Sequence, residues 1–223
     1  MAISKMMLSL VVTVLLAGSS LAADQTILGK TFLVKDPQLG DLSKRAVVAV
    51  GKEKDSANTI VGDPTIVGAT LTLIANGGDS SSQVFLLPQG FNVKGKPFWQ
   101  ATKTGYKYGD AKGEQGPVKT VTIDRSDAGN FTFKAKLVGK LGPIDVVPPN
   151  PGVSAHAVFD IAGGDRYCME YADGEIKNNG AQLFKVSNPT TEGCPAMTTS
   201  TTSTTTSTST STTIGSPSGA FLD

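Results

Sequence analysis

The stretch that decides the fold is AHAVFDIAGGDRYCMEY, residues 155–171. Ala155, Ala157, Phe159 and Ile161 alternate with His156, Val158 and Asp160, then Gly163-Gly164-Asp165 interrupts the run and a second apolar stretch follows. Successive side chains of a strand point to opposite faces, so this is the pattern of a half-buried strand, a tight turn and a return strand. An earlier stretch, ATLTLIANGGDSSSQVFLL at residues 69–87, has the same form. Aligned on the turns, Asp79 falls on Asp165, an offset of 86 residues, and Ala69, Leu71, Leu73 and Ala75 fall on Ala155, Ala157, Phe159 and Ile161.

Working outward, short apolar runs separated by Gly, Pro, Asn and Asp fill the chain, and no long helical pattern appears. Residues 31–35 (TFLVK), 45–50 (RAVVAV) and 58–61 precede the first hairpin. Residues 106–110 (YKYGD) then stand where FLVKD stood at 32–36, and VKTVTID at 118–124 stands where RAVVAV stood. Residues 131–138 show the cleanest alternation, with Phe131, Phe133, Ala135 and Leu137 on one face and Thr132, Lys134 and Lys136 on the other. The turn residues 126–129 make VKTVTID its hairpin partner. The chain therefore reads as all-β: a β-sandwich of about eleven short strands. Two degenerate repeats, 31–99 and 106–171, are expected, with a terminal strand at 183–187. The alternative is a closed β-barrel.

The two ends are of another kind. Lys5, an apolar run over residues 7–17 and small residues at Ser20 and Ala22 make residues 1–22 a secretory signal peptide, too short to remain as a membrane anchor. The mature chain is expected to be secreted, extracellular or periplasmic, without membrane insertion. Every residue from Thr198 to Thr213 is Ser or Thr. Such a run cannot bury enough apolar surface to offset its ordering entropy, so 198–223 is expected to be a disordered tail, leaving one domain at 23–197.

Lysine and arginine number 20 against 19 acidic residues, a net charge of +1, which gives nucleic acid no claim as a partner. In an exported chain the two cysteines, Cys168 and Cys194, pair most simply with each other. Closing that loop of about 26 residues stabilises by roughly 3–4 kcal/mol in the chain-entropy picture.

Four segments, GKTFLVKDP (29–37), GPIDVVPPNPG (142–152), GGDRYC (163–168) and the Ser/Thr run, together resemble uncharacterised secreted proteins of environmental bacteria. The resemblance covers most of the mature chain. It implies a secreted β-rich domain and brings no activity with it.

Recognisable catalytic chemistry is thin. His156 is the only histidine and falls on the polar side of its strand, where a solvated side chain is expected. One histidine and two paired cysteines leave no ordinary zinc site, and no cofactor motif is present. Asp79 and Asp165, or Asp110 with Glu114, offer oxygen ligands, but their spacing matches no standard calcium loop and Gly-Gly-Asp is an ordinary turn. Aromatic and basic residues interleave over 94–112. Trp99, Tyr106, Tyr108 and Lys103 are the candidate ligand platform, rings for stacking on sugars beside ammonium groups for anionic ones. The competing reading places the lone tryptophan in the core. The expectation is a non-catalytic binding or structural domain whose partner is a polysaccharide or another surface protein. The alternatives are a carbohydrate-active hydrolase using paired carboxylates and a subunit that assembles with its own copies.

Overall fold

A computed structural model describes residues 23–195. The leader expected at 1–22 and the tail expected at 198–223 lie outside the described residues. Thirteen strands form among those described: β1 Asp24–Thr26, β2 Gly29–Lys35, β3 Ala46–Glu53, β4 Ala69–Gly77, β5 Ser81–Leu87, β6 Trp99–Ala101, β7 Gly105–Gly109, β8 Val118–Arg125, β9 Phe131–Val138, β10 Gly152–Ile161, β11 Arg166–Glu170, β12 Glu175–Gly180 and β13 Leu183–Ser187. They build two sheets, ordered β1-β11-β10-β4-β5 and β12-β13-β2-β3-β9-β8-β7-β6. The fold is an all-β sandwich of open sheets, and the barrel alternative is set aside. The expected strand at 58–61 does not form; Asp63 instead caps a single helical turn, Pro64–Val67.

The alternation read from the sequence sets which face is buried. Ala69, Leu71, Leu73 and Ala75 of β4 and Ala155, Ala157, Phe159 and Ile161 of β10 all point inward. The two strands pair antiparallel at the centre of the five-stranded sheet, and the 86-residue offset meets this pairing at one position, Thr72 opposite Val158. The hairpins β4–β5 and β10–β11 therefore lie about a local twofold. In the other sheet β9 separates β3 from β8, so the hairpins β2–β3 and β7–β8 do not touch.

Between the sheets lies an aromatic core. Phe159 of β10 lies 5.5 Å from Phe133, 6.0 Å from Trp99 and 6.2 Å from Tyr167, ring centre to ring centre. Tyr171 packs on Phe32 at 5.3 Å. These large rings join the sheets through a contact layer that excludes water, the dominant favourable term in a fold of this kind.

Glycine governs one close approach. Gly77 and Gly78 read as turn residues, yet a Cβ on Gly77 would collide with the Pro151 carbonyl and one on Gly78 with that of Asn150. They make room for the proline connector 147–151, which contains a cis Asn150–Pro151 bond. Cys168 and Cys194 are joined, with Cα atoms 5.0 Å apart. The disulfide lies on the outer face of the five-stranded sheet and holds the segment after β13 against β11. Around it Thr191 Oγ1 donates to the Ala172 carbonyl at 3.3 Å and Arg166 Nη2 to the Pro195 carbonyl at 3.1 Å.

Candidate functional site

The aromatic–basic stretch divides by strand parity. On β6 and β7, Trp99 and Tyr108 point inward, and Lys107 and Gln100 point out. Trp99 is 2% exposed and Tyr108 1%, their rings lie 5.2 Å apart, and Trp99 Nε1 donates to the Leu87 carbonyl at 3.1 Å. Burial and nearby Asp110 together push the Tyr108 phenol far above its ordinary value, burial being the larger cause. Trp99 and Tyr108 are core side chains, and neither offers a ring face to a ligand. The expected platform is corrected on this point: a two-faced strand sends its rings to the dry side and its ammonium groups to the wet one.

Tyr106 and Lys103 do come together, in a cleft of about 410 Å³ at the end of the sandwich. It is lined by the β6–β7 hairpin, by Thr59 and Ile60, and by Arg125 at the end of β8. Tyr106 is half-buried against the core, and burial, then Asp63, raises its phenol pKa. Lys103 lies 3.2 Å from Asp127, both fully in solvent, a pair worth little. Arg125 Nη2 reaches the Ser56 carbonyl at 3.4 Å, whereas its buried Nε has no acceptor among the described residues. Guanidinium, phenol and threonine hydroxyls together are groups that hydrogen-bond sugar hydroxyls or a carboxylate. Sequence reading missed Arg125 because nothing in VTIDR marks its last residue as facing the β6–β7 hairpin.

The larger missed feature is the outer face of the eight-stranded sheet. From β13 through β7 its outward strand positions include Lys185, Lys35, Lys52, Lys136, Lys134 and Lys107, against one carboxylate, Asp124. Asp124 is engaged by the Thr104 hydroxyl. None of the six lysines lies within 4.0 Å of a carboxylate among the described residues. Register places Lys185, Leu33, Val48, Lys136 and Thr120 in one row across the sheet, and Thr31, Val50, Lys134, Thr122, Lys107 and Gln100 in the next. The face dips at both ends. One hollow, about 320 Å³, is flanked by Lys35 and Lys185; the other, about 290 Å³, by Lys96, Lys107 and Lys119. Neither is lined by an acid.

The opposite outer face, on the five-stranded sheet, carries Asp24, Asp160 and Glu170 with Arg166 and His156. Arg166 Nη1 lies 2.7 Å from Asp24. Burial raises the Asp160 pKa against the opposing pull of Arg166, with Asp24 adding to the rise. His156 is not the solvated residue expected. Its side chain is 14% exposed, with Nε2 3.6 Å from Glu170 Oε1 and Nδ1 3.4 Å from Asn76 Nδ2. Desolvation lowers its pKa, with Glu170 opposing. Three of the four acids considered for calcium accept backbone amides: Asp110 takes Gln115 N–H at 2.7 Å, Glu114 takes Val93 N–H at 2.9 Å, and Asp165 takes Ala23 N–H at 2.9 Å. The lysines of β13 through β7 and the carboxylates Asp24, Asp160 and Glu170 thus lie on opposite outer faces of the sandwich. Comparison of the chain with protein-family models, with curated proteins and with solved structures returns no match.

Proposed function

We propose that this chain is an exported, non-catalytic β-sandwich that works by binding, and that its ligand is an acidic polysaccharide laid across the outer face of the eight-stranded sheet. The observation that carries the reading is the set of six outward lysines facing one carboxylate. From Lys185 on β13 to Lys107 on β7 is five strand spacings, about 24 Å, a length suited to a polymer rather than to a single small ligand. Ammonium groups unpaired with protein carboxylates attract an anionic chain at long range. Leu33, Val48 and Val50 give the rows between them an apolar floor, and the lysine stems extend it. Lys103 and the end cleft stand at the β7 edge of this surface.

The hydrolase alternative has less support. A glycosidase needs two carboxylates facing across a cleft, and the clefts described above, at the end of the sandwich and at both ends of the lysine face, are lined by none.

The test compares the mature domain with a Lys107→Gln/Lys134→Gln/Lys136→Gln variant on immobilised polygalacturonate and on neutral dextran. The expected result is retention on the acidic polymer alone, released by salt and weakened at least about tenfold in the variant, with Tm changed by less than about 2 °C because the three side chains are exposed. Equal retention of the variant, or none of the parent at low salt, overturns the proposal. A molecular mass that rises with concentration in the unretained parent transfers the case to self-assembly.

A further inference from the structure

Asp165 is a carboxylate almost without solvent, 3% exposed, on the turn between β10 and β11. Its side chain takes the Ala23 backbone N–H on Oδ1 at 2.9 Å and the Gln25 side-chain amide on Oδ2. Among the described residues no cation lies within 4.0 Å of it. The adjacent guanidinium, Arg166, is spent on Asp24 and on the Pro195 carbonyl. A buried carboxylate held by neutral donors alone is costly, because its hydration has been lost without an opposite charge to offset it.

The donor on Oδ1 belongs to the residue that follows the expected cleavage point. Ser20 and Ala22 are the small residues of the leader's end, so cutting after Ala22 makes Ala23 the first residue. We propose that this cleavage creates the missing cation: the new α-ammonium of Ala23 seats on Asp165 and locks the mature fold. Water adds across the Ala22–Ala23 peptide bond, Ala22 keeps the carboxylate, and the freed Ala23 amine takes a proton at neutral pH, its ordinary pKa being about 7.7–8.0. The nitrogen is already in place. The Ala23 carbonyl accepts Arg166 N–H at 3.0 Å, and β1 continues as a parallel ladder on β11, Asp24 opposite Arg166 and Thr26 opposite Cys168. Cleavage changes the charge on a fixed donor, turning a neutral hydrogen bond into a charge-assisted one. A cut after Ala23 would instead remove that donor.

The inference rests on the export part of the reading above and is independent of the lysine face. Its test uses the full chain, secreted from its own leader, beside a chain with Gly-Ser inserted between Ala22 and Ala23. Each is made with Asp165 and with Asp165→Asn. Intact-mass measurement gives the first residue, and thermal melts give stability. The expected result is a mature chain beginning at Ala23, a Tm at least about 5 °C lower in the Gly-Ser chain, and a much smaller effect of Asp165→Asn in the Gly-Ser chain than in the parent. Should Asp165→Asn fail to fold in the parent, the Gly-Ser chain decides alone: a Tm equal to the parent's overturns the lock. A first residue other than Ala23, or equal Asp165→Asn effects in the two chains, overturns it as well. A chain that is never exported refutes the export reading and the lock together. A chain exported and cut after Ala22 whose stability ignores Asp165 refutes the lock alone.

Discussion

Arg45 Nη2 and Asp36 Oδ2 meet 2.6 Å apart with both side chains buried. Arg45 Nε approaches the same oxygen at 3.1 Å, and Nη1 donates to the Ile144 carbonyl. The pair ties the β2–β3 connection to the irregular segment that carries Ile144 and Val146 into the core. Removing one partner strands a charge in a site without water, at a cost of about 3–5 kcal/mol. Arg45→Ala is expected to lower the unfolding free energy measured in urea by that amount, and Asp36→Leu/Arg45→Leu to recover more than half of it. A double variant no more stable than Arg45→Ala would contradict this account.

Trp99 is the only tryptophan, so its fluorescence reports one place. Enclosed by Tyr108 and Phe159, it is expected to emit at short wavelength and to resist iodide quenching. Trp99→Ala leaves a large cavity and should cost about 3–5 kcal/mol in chemical denaturation. Retention on acidic polymer below the new melting point should be unchanged. A variant that loses retention while keeping its stability would return Trp99 to the binding surface.

His156 makes stability depend on pH. Burial holds its folded-state pKa below the ordinary 6.5, with Glu170 only partly opposing. On acidification the unfolded chain therefore takes up the proton first. The contribution is fully present above about pH 6.5 and is lost as pH falls through the folded-state value. Tm measured from about pH 7.5 to 5 should decline on the acid side, and His156→Gln should flatten that part of the curve. An unchanged slope in the variant would assign the decline to carboxylates.

Reduction tests the staple. Opening Cys168–Cys194, a separation of 26 residues, should cost about 3–4 kcal/mol through the unfolded chain. The denaturation midpoint should fall with dithiothreitol and should be indifferent to it in Cys168→Ala/Cys194→Ala. A parent midpoint that ignores reduction would mean the segment around Cys194 is held by its other contacts.

Much of the fold was readable because β2, β3, β4, β9 and β10 each have one dry face, and a period of two survives wherever a face is dry. The same rule hid other strands. β12, EIKNNG, is exposed along nearly its whole length and shows no alternation, while β1 and β6 are three residues each. The Gly-Gly before Asp79 read correctly as the β4–β5 turn but gave no sign of the proline connector packed against it, because close backbone approach and a turn both call for glycine. At the site, Lys134 and Lys136 were assigned to the polar face of their strand, but their neighbours depend on strand order. Nothing local says that β9 lies between β3 and β8, so the lysines of β13, β2, β3, β9 and β7 could not be gathered into one surface beforehand.

The disulfide also decides how the domain carries a load. The covalent loop from Cys168 to Cys194 contains β12 and β13. Tension applied to the chain beyond Cys194 crosses the sulfur bridge into β11, which β1 and β10 flank in the five-stranded sheet. The edge hairpin β12–β13 lies within the shunted loop and feels none of it. While the bridge is closed, a pull on the Ser/Thr segment loads an interior strand of the five-stranded sheet; once it is reduced, the same pull peels β13 and β12 from the rim of the other.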